Sequence, residues 1–308
     1  MPAHLPSLIE PSERDTDGLI ALSQSAHWNQ NRDDWLWMLR HGRTRALIFQ
    51  DQLVASTLVL PWNPSGAPAP HASPLPSLAW ISMVLVLPEH RGKGYATQLL
   101  REALGWLAEP GQRHLTPMLD ATPAGHPVYL KLGFRDLWAF TRWERSANCD
   151  DREWSVSSTV LNLASLPSDH PHHAAMIALD RMAFGADRKP LLNDLLRRAP
   201  QLALAVCDRD TLKGFVLARP GRRATQLGPL VAQDEDTAIT LADHALSIID
   251  GPVFVDVPDA QRGLASWLHQ QGLTVQRTFT RMALNPTPRS GPIGYPSAIF
   301  AVAGPELG

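Results

Sequence analysis

Four consecutive residues, Arg91-Gly92-Lys93-Gly94, interrupt an apolar run where the strand-like pattern "LAWISMVLVLP" gives way to helical spacing from Tyr95 to Ala108. Glycines at such a junction let backbone N–H groups approach a ligand closely, and a helix starting there aims its unpaired amides and the positive end of its dipole at the same place. The chemistry this suits is anion binding, most often of a phosphate or pyrophosphate. A P-loop nucleotide site does not fit, because the GxxxxGK[ST] spacing and its hydroxyl after the lysine are missing around "GKG".

Composition bounds what such a site could serve. The chain has 308 residues, 44% hydrophobic and 19% charged, enough for two globular cores. A net charge of −2 and a pI near 6.6 leave no basic footprint for nucleic acid. Cys149 and Cys207 lie far apart without metal-ligand spacing, so neither a disulfide framework nor a metal site is suggested, and a reducing cytoplasm fits. The first thirty residues are too acidic and too polar for a signal peptide, and no apolar run reaches membrane-spanning length. These features predict a soluble cytoplasmic protein with no membrane partner.

The elements that must position the loop follow from periodicity. Ser12 to about Arg40 reads as one or two helices, and "RALIFQDQLVASTLVLP" as a hairpin turning at Gln50 to Gln52. Residues 61 to 77 are too rich in Pro, Gly and Ser for a regular element. "LAWISMVLVLP" has the uninterrupted apolar pattern of a strand covered on both faces. "RHLTPMLDAT" reads as another strand, "HPVYLKLGF" as a short helix closed by Gly133, and "RDLWAFTRWE" as an alternating strand. The second half repeats the order: a hairpin in "PQLALAVCDRDTLKGFVLAR", a strand in "GPVFVDVPD", then a helix and strand in "LASWLHQQGLTVQRTFTRMAL". Gly133 and Phe140-Thr141-Arg142 recur as Gly272 and Phe279-Thr280-Arg281 at a common offset of 139, which indicates duplication. The boundary falls near residues 146 to 155, giving domains 1–150 and 151–285, with a Pro/Gly-rich tail at 286–308 on which no structure is forced.

With this order in view, the first half resembles the GNAT superfamily of N-acetyltransferases. Arg91-Gly92-Lys93-Gly94-Tyr95-Ala96, between strand and helix, matches the family fingerprint of Arg or Gln, two residues, Gly, one residue, then Gly or Ala; Tyr129 before Gly133-Phe134 matches its later signature. The resemblance implies an α/β fold with an α+β mixed sheet, in two tandem GNAT-like domains, each a mixed, mostly antiparallel twisted sheet flanked by helices. It implies acetyl-CoA as the cofactor, its pyrophosphate on the amides of Arg91, Gly92, Lys93, Gly94, Tyr95, Ala96 and Thr97. Its pantetheine arm would lie on the strand edge at Met83, Val84, Leu85 and Val86, where two strands splay and the thioester sits. By the same analogy Tyr129 is the general acid that protonates the leaving thiolate. Many members carry a Glu on the preceding strand, but "WISMV" has none, which leaves Asp120, His126, Ser82 and His27 as candidate bases. Asp120 is preferred because it ends the strand nearest the expected thioester. Trp28, Trp35 and Trp37 would lie around the acceptor pocket in this family, although large apolar helix residues more often belong to a core.

The second half resembles a GNAT-like domain that has lost this chemistry. Gln233-Asp234-Glu235-Asp236-Thr237-Ala238 aligns with the pyrophosphate loop, with three carboxylates where an anion would sit, and Leu268 replaces the tyrosine. Asp256, Asp187 and Arg188 are left as residues that line an acceptor site or act as caps and ion pairs. The expected activity is transfer of an acetyl group to a small-molecule primary amine by direct attack in a ternary complex. The second half would then support the fold, a homodimer or acceptor choice. The competing reading is a non-catalytic acyl-CoA-binding sensor or partner-binding module, motivated by the missing strand Glu and the degenerate second half.

Overall fold

The computed structural model describes residues 5–62, 77–146, 160–284 and 293–308. The domain boundary and most of the Pro-rich segment expected at 61 to 77 fall outside the described residues.

The first half opens with strand β1 (Ser7–Ile9) and helices α1 (Thr16–Ser25) and α2 (Arg32–His41). Asn31 caps α2 in a capping box with Asp34, which fixes where the second helix begins. The hairpin β2 (Arg43–Phe49) and β3 (Gln52–Trp62) turns at Gln50 and Asp51, both with positive φ, as the tightest hairpins require. Strand β4 (Ser77–Val86) leads through the glycine loop into α3 (Tyr95–Leu107). Strand β5 (Leu115–Ala121), helix α4 (His126–Lys131) and strand β6 (Phe134–Arg145) complete the half, with Gly133 left-handed at the end of α4.

The second half follows the same plan. After β7 (Val160–Asn162) come α5 (Pro171–Phe184), α6 (Lys189–Arg198), the hairpin β8 (Leu204–Asp208) and β9 (Thr211–Arg219), and β10 (Thr225–Ala232). Then come α7 (Glu235–Ile248), β11 (Val253–Pro258), α8 (Arg262–Gln270) and β12 (Thr274–Leu284). The fold is mixed α/β, with helices flanking a mixed, mostly antiparallel sheet. No helix among the described residues is long and apolar enough to cross a membrane.

Pairing departs from two self-contained sheets. The strands form one continuous sheet, ordered β1-β2-β3-β4-β5-β12-β6-β11-β10-β9-β8-β7. The last strand of each half is exchanged: β12 pairs with β5 of the first half, and β6 with β11 of the second. The two exchanged strands pair antiparallel with each other, so that Phe140 faces its repeat equivalent Phe279, their rings stacked at 4.9 Å. This contact marks a pseudo-twofold axis between the repeats. The largest apolar cluster spans it, joining Trp35, Leu58, Trp80 and Phe140 to Phe184, Phe215 and Phe279.

Within the tail, on which the sequence reading forced no structure, the described residues 293–308 include an element. A short turn leads into β13 (Ile299–Ala301), which pairs antiparallel with β10, and the Val302 amide bonds the Asp256 carbonyl at 3.0 Å. Three residues are too few for periodicity to register. What orders them is burial, with Phe300, Val302, Ala303 and Leu307 all inside the molecule.

Candidate active site

Strand β4 and strand β5 run parallel only from Ser77–Trp80 against Leu115–Met118. Beyond Trp80 they part: β5 stays with β12, and Ile81 to Val86 pair only with β3. Met83 sits at a bulge in this stretch, with φ of 51° and its carbonyl held by the Ser56 hydroxyl at 2.8 Å. The splay opens a cleft of about 590 Å³, lined by Val84, Leu85, Val86, Arg91, Ala96, Asp120 and Tyr129 among others.

The glycine loop closes one end. Gly92 and Gly94 have φ of +75° and +82°, and a Cβ at either would meet nothing within 4 Å, so the loop surface is open as well as left-handed. No side chain caps α3, which leaves its first-turn N–H groups free for a ligand. Arg91 bonds the Val86 carbonyl through Nε at 3.2 Å, and Lys93 turns to His90 at 3.4 Å. Tyr95 packs against the His90 ring, while Thr97 is half-buried and lines neither the cleft nor the pocket beyond it.

At its inner end the cleft meets a narrow pocket of about 40 Å³. Trp28, Val84, Asp120, Thr122, Tyr129 and Arg277 line both spaces. Tyr129 packs edge-on to Phe134 and sits so close to Gly125 that a Cβ there would lie 2.9 Å from its ring. Burial pushes its phenol well above the ordinary range, so it stays a proton donor. Ser82 and Met83 line the inner pocket; His27 and His126 line neither space, and His126 pairs instead with Asp136 at 2.8 Å. Trp28 is at the pocket, but Trp35 and Trp37 belong to the core, Trp35 donating to the Ser23 hydroxyl at 2.9 Å.

Asp120 is engaged. Arg281 of the exchanged strand β12 binds both its oxygens at 2.9 Å, with the guanidinium between Trp80 and Trp138. Burial pushes the Asp120 carboxyl up, against the opposing charge of Arg281. The repeat-equivalent pair is Asp256 with Arg142, bidentate at 2.7 Å and joined by Gln226. The Arg of each Phe-Thr-Arg motif thus clamps the strand-end Asp of the other half. Asp187 caps the Lys189 amide at 2.8 Å, and Arg188 pairs with Asp180 at 2.6 Å; Asp187, Arg188 and Asp256 line neither the cleft nor the inner pocket.

Sequence reasoning missed the share of the second half in this site. Arg277 and Phe279 of β12, and Pro305 and Glu306 of the tail, reach the inner pocket, with Glu306 paired to Arg219. The loop carrying Trp28, Asn29 and Gln30 is held from the second half too: Asn29 bonds the Ala224 carbonyl at 3.0 Å and the Arg223 amide at 2.9 Å. The paired Arg and Asp of the repeat were the available clue.

In the second half the corresponding places are closed. Asp234 caps α7 through the Thr237 amide at 2.8 Å, and the Glu235 carboxylate accepts from the Leu264 amide at 3.2 Å. Strands β10 and β11 pair in parallel at Thr225–Leu227 and then part as β4 and β5 do, but β13 occupies the opening.

Comparison with known proteins finds the same fold elsewhere. An acetyltransferase (GNAT) family model matches residues 14–134, and a second acetyltransferase (GNAT) domain model matches residues 176–293. The chain is 24% identical over 195 residues to YitH of Bacillus subtilis, an N-acetyltransferase itself uncharacterised; the match spans 63% of this chain and 66% of that protein, just under two thirds of its length. Among solved structures, a candidate acetyltransferase of Pyrococcus horikoshii superposes over 100% of this chain and 99% of its own, with a TM-score of 0.74 and 18% identity. A tandem GNAT protein from the clavulanic acid biosynthesis pathway covers 91% of this chain and 98% of its own, at 0.61 and 13%. The chain belongs to the GNAT acetyltransferase family, with two such domains in tandem.

Proposed function

We propose that the first half is an acetyl-CoA-dependent N-acetyltransferase acting on a small primary amine, and that the second half is a degenerate partner completing its acceptor site. The observation that carries this reading is that one cleft joins three features: the splayed edge of β4, the open glycine loop before the uncapped α3 at one end, and the inner pocket beside Tyr129 at the other. These residues fit the cofactor. The amides of residues 91–97 would hold its pyrophosphate, and Met83–Val86 would pair with its pantetheine arm as a sheet edge pairs with an extended ligand.

Bound there, acetyl-CoA would supply an activated acetyl thioester, open to an amine nitrogen with a thiolate as leaving group. Asp120 would take the nitrogen's proton through water, and Tyr129 would hold a proton for the sulfur, so that N-acetyl product and CoA thiol would result. Arg281 takes two of the lone pairs of Asp120, which leaves the carboxylate others for that proton.

Calorimetric titration with acetyl-CoA tests the reading. One site per chain is expected, lost in Gly94→Asp, where a carboxylate would face the pyrophosphate. Gly251→Asp is the control for strain, because Gly251 has a similar φ of +84° and equally open surroundings. Equal loss in both variants, or retained binding in Gly94→Asp, would count against the loop as the cofactor seat.

A further inference from the structure

Among the positions beside the pseudo-twofold axis where the two repeats differ, Trp138 against Arg277 is the one that falls in the inner pocket. Arg281 lies opposite Trp138 across the exchanged strands, the guanidinium 4.4 Å from the ring centroid. The symmetry-related pair is Arg142 opposite Arg277. A tryptophan that packs on one side of the axis is thus an arginine on the other, where it faces a second arginine directly across the ladder. Like charges so placed repel.

The charges around this pocket are otherwise matched. Arg142 pairs with Asp256, Asp120 with Arg281, and Glu306 with Arg219. Arg277 has no carboxylate within ion-pair distance among the described residues; its Nε bonds only the neutral Gln276 side chain, at 3.0 Å. Partial burial, and then Arg142 and Arg223, disfavour its charged form. Two residues lining the same pocket each carry a buried polar atom without a hydrogen-bond partner, Gln30 at Oε1 and Ser82 at Oγ. Buried polar atoms are nearly always satisfied, so the two oxygens suit a ligand with N–H donors, and the half-buried guanidinium beside them, with no carboxylate partner among the described residues, suits a negative charge on the same ligand.

We propose that the inner pocket seats an acceptor carrying both an amine and a carboxylate, the carboxylate on Arg277 and the amine N–H groups on Gln30 Oε1 and Ser82 Oγ. This rests on the acetyl-transfer reading and narrows it to amino acids and related amino-carboxylates. Planar guanidinium matches planar carboxylate in a two-bonded fork. A space of about 40 Å³ has room for roughly three waters, which suits a carboxylate better than a phosphate. Arg277 lines the cleft as well, so an acceptor held there reaches the thioester region beside Tyr129.

The test pairs glycine, β-alanine and the L-amino acids with their primary amides, and adds phosphoethanolamine, following thiol release from saturating acetyl-CoA. At least one free acid should show kcat/KM tenfold or more above its amide. In Arg277→Met that preference should vanish through a raised KM, with acetyl-CoA affinity unchanged, and Arg277→Lys should restore part of it. Amides used as well as acids, a preference surviving in Arg277→Met, better use of phosphoethanolamine, or no turnover of any free acid by protein that binds acetyl-CoA would each overturn the proposal. If acetyl-CoA does not bind, the acetyl-transfer reading falls, and calorimetry of the same pairs on the protein alone decides: tighter binding of acids, lost in Arg277→Met, supports the seat, and no difference overturns it.

Discussion

Removing the Tyr129 hydroxyl is the smallest change that separates binding from chemistry. Tyr129→Phe should lower kcat by about a hundredfold or more, the range for a lost general acid, while acetyl-CoA affinity holds; unchanged kcat in stopped-time assays would remove Tyr129 from the reaction and favour a sensor. Asp120 calls for a comparison, because it is both a clamp and the proposed proton acceptor. Asp120→Asn and Asp256→Asn each leave a buried arginine unmatched, and each should cost about 3–5 kcal/mol in denaturant unfolding. Only Asp120 lines the cleft, so on the folded fraction Asp120→Asn should lose more turnover; equal losses would leave it a clamp alone. Burial raises the carboxyl, and the base must be ionised, so activity should rise with pH along a limb displaced upward from about 3.9.

Among elements, the contrast between α3 and α7 is the clearest. Helix α3 begins at an uncapped glycine and α7 at Asp234, whose carboxyl is lowered chiefly by the Thr237 backbone bond. Asp234→Ala should cost about 1 kcal/mol. A depressed folded-state pKa gives stability that is complete above the unfolded value near 3.9 and lost as pH falls through the folded one. Melting curves of variant and parent should therefore differ at neutral pH and converge in acid. Most such elements were legible in the sequence, since hairpins, helices and glycine stops write themselves into periodicity. The pairing of the last strands was not. A repeat offset of 139 is equally consistent with strands kept at home or exchanged, because both bury the same alternating faces. Within the site, the glycine loop and Tyr129 were readable as local motifs, while Arg277, Gln30 and Glu306 depend on long-range contacts that no local pattern encodes.

For the whole molecule, the exchange means that neither half has a complete sheet of its own. Pieces 1–150 and 151–308 expressed separately should be insoluble, with β6 and β12 deprived of partners on both sides. Co-expressed, they should co-purify as a one-to-one complex by light scattering; two independently soluble, monomeric pieces would show that the exchange is dispensable.

The stacked Phe140 and Phe279 carry a consequence of another kind. A single repeat with this exchange could complete its sheet only by meeting a second copy, so its folding would depend on dilution. Joining two copies in one chain replaces that encounter by a tethered one at millimolar effective concentration, and folding becomes insensitive to expression level. It also frees the copies to differ. In a symmetric pair every change appears twice, whereas a tether lets one cleft keep its opening while the other is filled, and lets one Trp become Arg277 without altering Trp138.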